Sequence, residues 1–225
     1  MRSKPYLTAS FLLVFSLMLV SEALPDDTLS IVMQGIRTRY GNAASMSAEY
    51  TREAISKTMA LLGTADRKDI AQGKLFFKRP HFLRLEQKSP EEELLLTDGQ
   101  TLWWHLPAKR EAYRYPAEEF GHELRLLSDI LTGLRNTSES FQFTLKAPTE
   151  NNTYQLVLSP DPPRSDLAHI NIIVLREDFT IRQIELHNKV GGLTRFILSD
   201  WQERAQFDPG FFSFSPPQGT KVIEQ

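Results

Sequence analysis

The residues of this 225-residue chain that could do chemistry are spread out in a way that assembles no reaction centre. Its five histidines, His81, His105, His122, His169 and His187, stand singly, and none has a metal-like partner at i+2 or i+4. Isolated histidines of this kind read as surface or internally satisfied groups. Glu91-Glu92-Glu93 and Glu118-Glu119 read as solvated charge runs, and Asp161 and Asp166 lie in a proline-rich turn. No carboxylate spacing supports a glycosidase pair. Gly-X-Ser-X-Gly and Ser-X-X-Lys are absent, and Gly191-Gly192 is a turn, not a phosphate loop. Without cysteine there is no disulfide, thiol nucleophile or thiolate metal site. No metal site and no cofactor are expected, and catalysis is the weaker class of hypothesis.

Two places remain. Lys78-Arg79-Pro80 closes a strand. Arg79 there is either a solvated strand end or a guanidinium whose donors bind backbone carbonyls of something packed across the sheet. Leu102-Trp103-Trp104 is the strongest aromatic signal. Adjacent rings on a strand point to opposite faces, so the pair is either core packing or, in an open sheet, one ring outside and one on the concave side.

The elements that position these residues are mostly strands. Leu29, Val32, Met33, Ile36 and Tyr40 recur at helical spacing, with Gly41-Asn42 as a stop, and predict a helix over 27–40. Half-exposed or alternating strands follow over 45–57, 70–78 and 82–87. Asp98-Gly99 between 94–97 and 101–105 signals a hairpin. Tyr113 and Tyr115 sit on a further strand. Leu124, Leu127, Leu131 and Leu134, widened by Leu126 and Ile130, predict a second helix over 123–134 that is covered on most sides or lies over an apolar pocket. Strands resume at 141–146, 154–159, 169–175, 181–187 and 193–200. About eleven strands and two helices make a single antiparallel α+β domain.

Net charge is −2, which leaves no electrostatic footprint for nucleic acid. Arg2 and Lys4, an apolar run from Leu7 to Val20 and Ser21-Glu22-Ala23 read as a secretion signal cleaved after residue 23. The run of about fourteen residues is short of the ~20 needed to span a bilayer. Residues 24–225 then form the exported, soluble domain.

Three stretches, Gly73 to Leu85 with Lys78-Arg79-Pro80, Pro90 to Trp103 with Asp98-Gly99, and Phe212 to Val222 with Pro216-Pro217, resemble the LolA family of periplasmic outer-membrane lipoprotein carriers in order and spacing. Leu85 stands where many members have Trp, and Thr220-Lys221 replaces the family's Gly-Val. The resemblance implies an incomplete, strongly curved antiparallel β-barrel, closed by helices that form a lid over an apolar cavity. It implies a monomer in the periplasm that takes acylated lipoproteins from an inner-membrane lipoprotein-releasing ABC transporter to an outer-membrane lipoprotein receptor. It makes Arg79 the lid-fastening residue. The cavity wall is then expected from Leu75, Phe77, Leu83, Leu85 and Trp103, with Ile31, Ile36, Leu127 and Leu131 offered by the lids. Related half-barrels that bind another lipid or sense envelope stress are the alternative.

Overall fold

The computed structural model describes residues 25–56, 69–117, 122–135, 137–146, 152–203 and 207–224. The predicted signal segment lies outside them. Among the described residues two α-helices, α1 (Pro25–Gly41) and α2 (His122–Leu131), accompany twelve strands. In chain order these are β1 (Ser45–Ile55), β2 (Asp69–Lys78), β3 (Phe82–Ser89), β4 (Glu93–Thr97), β5 (Thr101–Leu106) and β6 (Glu111–Pro116). After α2 come β7 (Phe141–Lys146), β8 (Thr153–Pro160), β9 (Leu167–Leu175), β10 (Ile181–Asn188), β11 (Leu193–Glu203) and β12 (Lys221–Glu224).

All twelve belong to one curved sheet that does not close, in the order β12-β6-β5-β4-β3-β2-β1-β11-β10-β9-β8-β7. Every pairing is antiparallel except β12 on β6, which is parallel. This corrects the strand count by one: the four-residue β12 is too short and too charged to announce itself. β1 also differs from the half-exposed strand expected, since Ser45, Met46, Ser47 and Ala48 are all buried. It is a central strand, and its small residues do not register as hydrophobic although they pack closely.

The concave face carries the main core. Tyr50 of β1, Leu75 and Phe77 of β2, Leu83 and Leu85 of β3, Leu156 and Leu158 of β8, Ile170 and Ile172 of β9, and Phe196 and Leu198 of β11 meet Val32, Ile36 and Tyr40 of α1 and Leu127, Ile130 and Leu131 of α2 in one apolar cluster. The cross-strand registers Tyr50↔Gly73, Leu75↔Leu85 and Phe77↔Leu83 keep these side chains on one side. Gly73 is required by the close approach of the β3 backbone. A Cβ there would lie 2.0 Å from the Glu86 carbonyl oxygen of β3, far inside contact distance.

The convex face is covered differently. Phe207, Phe211, Phe212 and Phe214 from the C-terminal segment pack on Phe76, Phe82, Leu96 and Trp103. Arg84 fastens this strap, donating to the Phe211 carbonyl at 2.8 Å with its guanidinium carbon 4.6 Å from the Phe211 ring centre.

Candidate functional site

Under α2 the concave face leaves a cavity of about 250 Å³. Leu85, Leu95, Leu102 and Phe196 form much of its wall, and Leu124 and Leu127 of α2 form its roof. Leu124 is half-buried and Leu127 fully buried, so the helix shows the cavity a leucine edge. α2 then stops where Gly133 (φ 89°) and Leu134 (φ 60°) turn left-handed and the Arg135 N–H closes back on the Asp129 carbonyl at 3.0 Å.

Polar groups from three strands face the same space. Arg52 of β1, Gln87 of β3 and Glu93 of β4 line it beside Tyr50. Gln87 donates to the Glu91 carbonyl at 3.0 Å, and a Glu93 carboxylate oxygen accepts from the Trp104 indole at 2.9 Å. Burial pushes the Tyr50 phenol up to about 12; the Arg52 charge works against that shift and the Glu93 charge adds to it.

The second helix over the concave face, α1, is fastened at its C-terminal end. Val32, Ile36 and Tyr40 point inward and are fully buried. The Tyr40 ring packs edge-on against Trp201 at 5.3 Å, and its hydroxyl accepts from the Ile181 N–H at 2.8 Å. Burial pushes the Tyr40 phenol up to about 12. Arg39 pairs with Asp178 at 3.1 Å on the β9–β10 turn. The Arg79 guanidinium donates to the Gly41 carbonyl and, at 3.4 Å, to the Asn42 carbonyl. Those carbonyls lie at a helix C-terminus, where partial negative charge accumulates and a cation is favoured. Of the two readings left open for Arg79, this geometry is the guanidinium on backbone carbonyls.

The other predicted site residues divide into three groups. Leu85 and Leu127 line the cavity. Leu75, Phe77, Leu83, Ile36 and Leu131 are on the concave side but fully buried in the core cluster that supports it. Two expectations are corrected. Ile31 is 55% exposed on the outer side of α1, because at about 3.6 residues per turn it stands opposite Tyr40. Trp103 lies on the convex face, 5.2 Å from the Phe214 ring, with Arg114 5.8 Å from its centre. A one-residue register difference exchanges faces, and the inward indole is that of Trp104, which pairs with Leu95 and packs 5.5 Å from Tyr113.

Reading residues singly also missed two polar groupings. One is Arg52 with Glu93 and Gln87 inside the cavity. The other is on the convex face, where β9 and β10 bring His169 and His187 opposite each other with rings stacked at 4.3 Å. His187 meets Glu185 at 3.1 Å, and Arg195 bridges Glu185 and Glu53 at 2.8 Å each. Burial pushes the Glu185 carboxyl up, but hydrogen bonds from Asn171, His187 and Arg195 outweigh it and hold the group below its usual range. No group of three or more metal-ligating side chains occurs among the described residues.

An unclosed half-barrel with two helices over an apolar interior is the class that this fold and cavity define. The chain belongs to the family described as outer membrane lipoprotein carrier protein LolA, whose sequence pattern matches residues 43–215. An outer-membrane lipoprotein carrier protein of Salmonella paratyphi A is 24% identical over 207 residues, covering 92% of this chain and 95% of the relative. An uncharacterized conserved protein from Thermus thermophilus superposes with a TM-score of 0.55 at 9% identity, over 88% of this chain and 99% of that one. A LolA superfamily protein from Nitrosomonas europaea gives a TM-score of 0.45 at 11% identity, over 83% and 97%. No helix among the described residues is long and apolar enough to cross a membrane.

Proposed function

We propose that this protein works in the periplasm, takes acylated lipoproteins from an inner-membrane lipoprotein-releasing ABC transporter, and delivers them to an outer-membrane receptor. The acyl chains enter between the concave face and the two helices. The observation that carries this reading is the leucine-walled cavity roofed by Leu124 and Leu127, found in a chain of the lipoprotein-carrier family.

The task is set by solubility. Each acyl CH₂ moved out of water is worth about 0.8 kcal/mol, so one ~16-carbon chain left in water costs roughly 11 kcal/mol and three chains about three times that. The empty protein hides its own apolar surface by letting α1 and α2 settle onto it. At about 250 Å³ the cavity is smaller than the ~300–1,000 Å³ usual for ligand pockets. Loading therefore displaces a lid. The Arg79 clasp on the end of α1 and the leucine edge of α2 are the contacts that oppose this.

The test is mass spectrometry of what co-purifies with the exported protein, joined to transfer of a fluorescent triacylated peptide between vesicles. Acylated peptide in the isolate and carrier-dependent transfer are expected. Free phospholipid or glycolipid as the bound species, with no peptide transfer, overturns the reading.

A further inference from the structure

The cavity that would hold acyl chains carries a cation. Arg52 projects from the concave face of β1, in the middle of the sheet, with Ala71 of β2 and Phe196 of β11 as its cross-strand neighbours. Its Nε is buried and makes no hydrogen bond. Its nearest polar companions in the cavity do not meet it: Gln87 donates to the Glu91 carbonyl, and Glu93 accepts from Trp104 through one carboxylate oxygen. A buried donor without a partner is costly, typically about 1–3 kcal/mol. A purely apolar passenger would leave that cost in place. A passenger bearing an oxygen acceptor at this level would remove it.

We infer that Arg52 reads the linkage of the cargo lipid, donating to the carbonyl oxygens that join acyl chains to the head, so that the chains run onward between the leucines and the head stops at the polar group. This rests on the carrier reading and adds to it the chemical feature recognised. Charge selects among acceptors. Arg52 and Glu93 line the same cavity and act on the Tyr50 phenol in opposite directions. A full anion such as a fatty-acid carboxylate or a phosphate would sit beside the Glu93 carboxylate. A neutral ester or amide carbonyl accepts from Arg52 without that repulsion.

The experiment measures binding of three fluorescent probes: a diacylglyceryl-cysteine peptide with ester links, its dialkyl ether analogue of equal chain length, and a labelled palmitate. Wild type should prefer ester over ether by about tenfold, the worth of one hydrogen bond to a charged donor. Arg52→Leu should bring the ester-to-ether ratio close to one, whatever its absolute affinities, and Arg52→Lys should keep part of the preference. The wild-type ester-to-ether ratio tests the inference even if a variant folds poorly, and Arg52→Gln supplies a second, polar replacement. Equal affinity of wild type for ester and ether, an unchanged ratio in Arg52→Leu, or an Arg52-dependent preference for palmitate overturns the inference and leaves the carrier reading standing. Failure of wild type to bind any of the acylated peptides removes the carrier reading, and this inference with it.

Discussion

Replacing Arg79 with leucine separates the clasp from the cargo. Arg79 makes one partly buried bond to the Gly41 carbonyl and one long, exposed bond to the Asn42 carbonyl at 3.4 Å. A hydrogen bond from a charged donor contributes about 1.5–3 kcal/mol. The partial exposure puts the first bond near the lower end, and at its length the second adds little. The clasp is therefore worth about 1.5–2 kcal/mol. If cargo displaces α1, those bonds break on loading, and they favour the empty form by that amount. Removing them stabilises the loaded form relative to the empty one equally. Arg79→Leu should thus bind a triacylated peptide about ten- to thirtyfold more tightly and release it correspondingly more slowly. Arg79→Lys should fall between, because an ammonium cannot reach both carbonyls with a planar fork. Urea denaturation of the empty protein should show the same 1.5–2 kcal/mol as lost stability. The assay is a two-step vesicle transfer in which uptake and hand-off are timed separately. A variant that has lost the empty-state stability yet loads and releases at wild-type rates would refute the coupling of clasp to cargo.

Three further outcomes are expected. Leu124→Glu places a charge on the cavity roof at a half-buried position, so acyl-peptide affinity should drop at least about tenfold with little change in melting temperature, as read by fluorescence binding beside a thermal melt. Tyr40 and Tyr50 are both raised to about 12, so their contribution is complete below pH 10 and is lost as pH rises from 10 to about 12; the loss of about 2–3 kcal/mol per tyrosine should flatten in a Tyr40→Phe/Tyr50→Phe double variant followed by denaturation against pH. Gly73→Ala must push β2 away from the Glu86 carbonyl, and a melting curve should show a loss of about 1–3 kcal/mol or more.

The parts of the fold legible in sequence were those with a strong period. Val32, Ile36 and Tyr40 announced the inner face of α1, and the leucines of α2 announced a helix wrapped in apolar neighbours, because helical spacing forces such residues onto one side. Strand faces were harder. Trp103 and Trp104 look alike in sequence, and only pairing with β4 and β6 decides which one enters the concave side. β12 exists because β6 offers an edge, which no local pattern encodes. Arg52 was missed for a related reason. In a strand of Ser, Glu, Thr and Ala an arginine reads as solvated, whereas in the structure it is half-buried and lines the same cavity as Leu124 and Leu127. The motif around Arg79 singled it out, but its partners, the Gly41 and Asn42 carbonyls, are defined only by where the helix ends.

The order of strands has a kinetic consequence. From β1 to β6 and from β7 to β11 each strand pairs with the next in sequence, so each half is a meander that can zip up from its own turns. The halves join in the sheet through one distant pairing, β1 with β11, which brings Tyr50 opposite Leu198. Such a pairing bears the loop-closure entropy of everything between it, and it forms late. A chain that emerges N-terminus first cannot complete this sheet until β11 has arrived. Until then β1 offers an unpaired edge, and the apolar concave face behind it stands half built. The protein is at that stage itself a hydrophobic passenger in water, and its exposure ends when the last long strand docks.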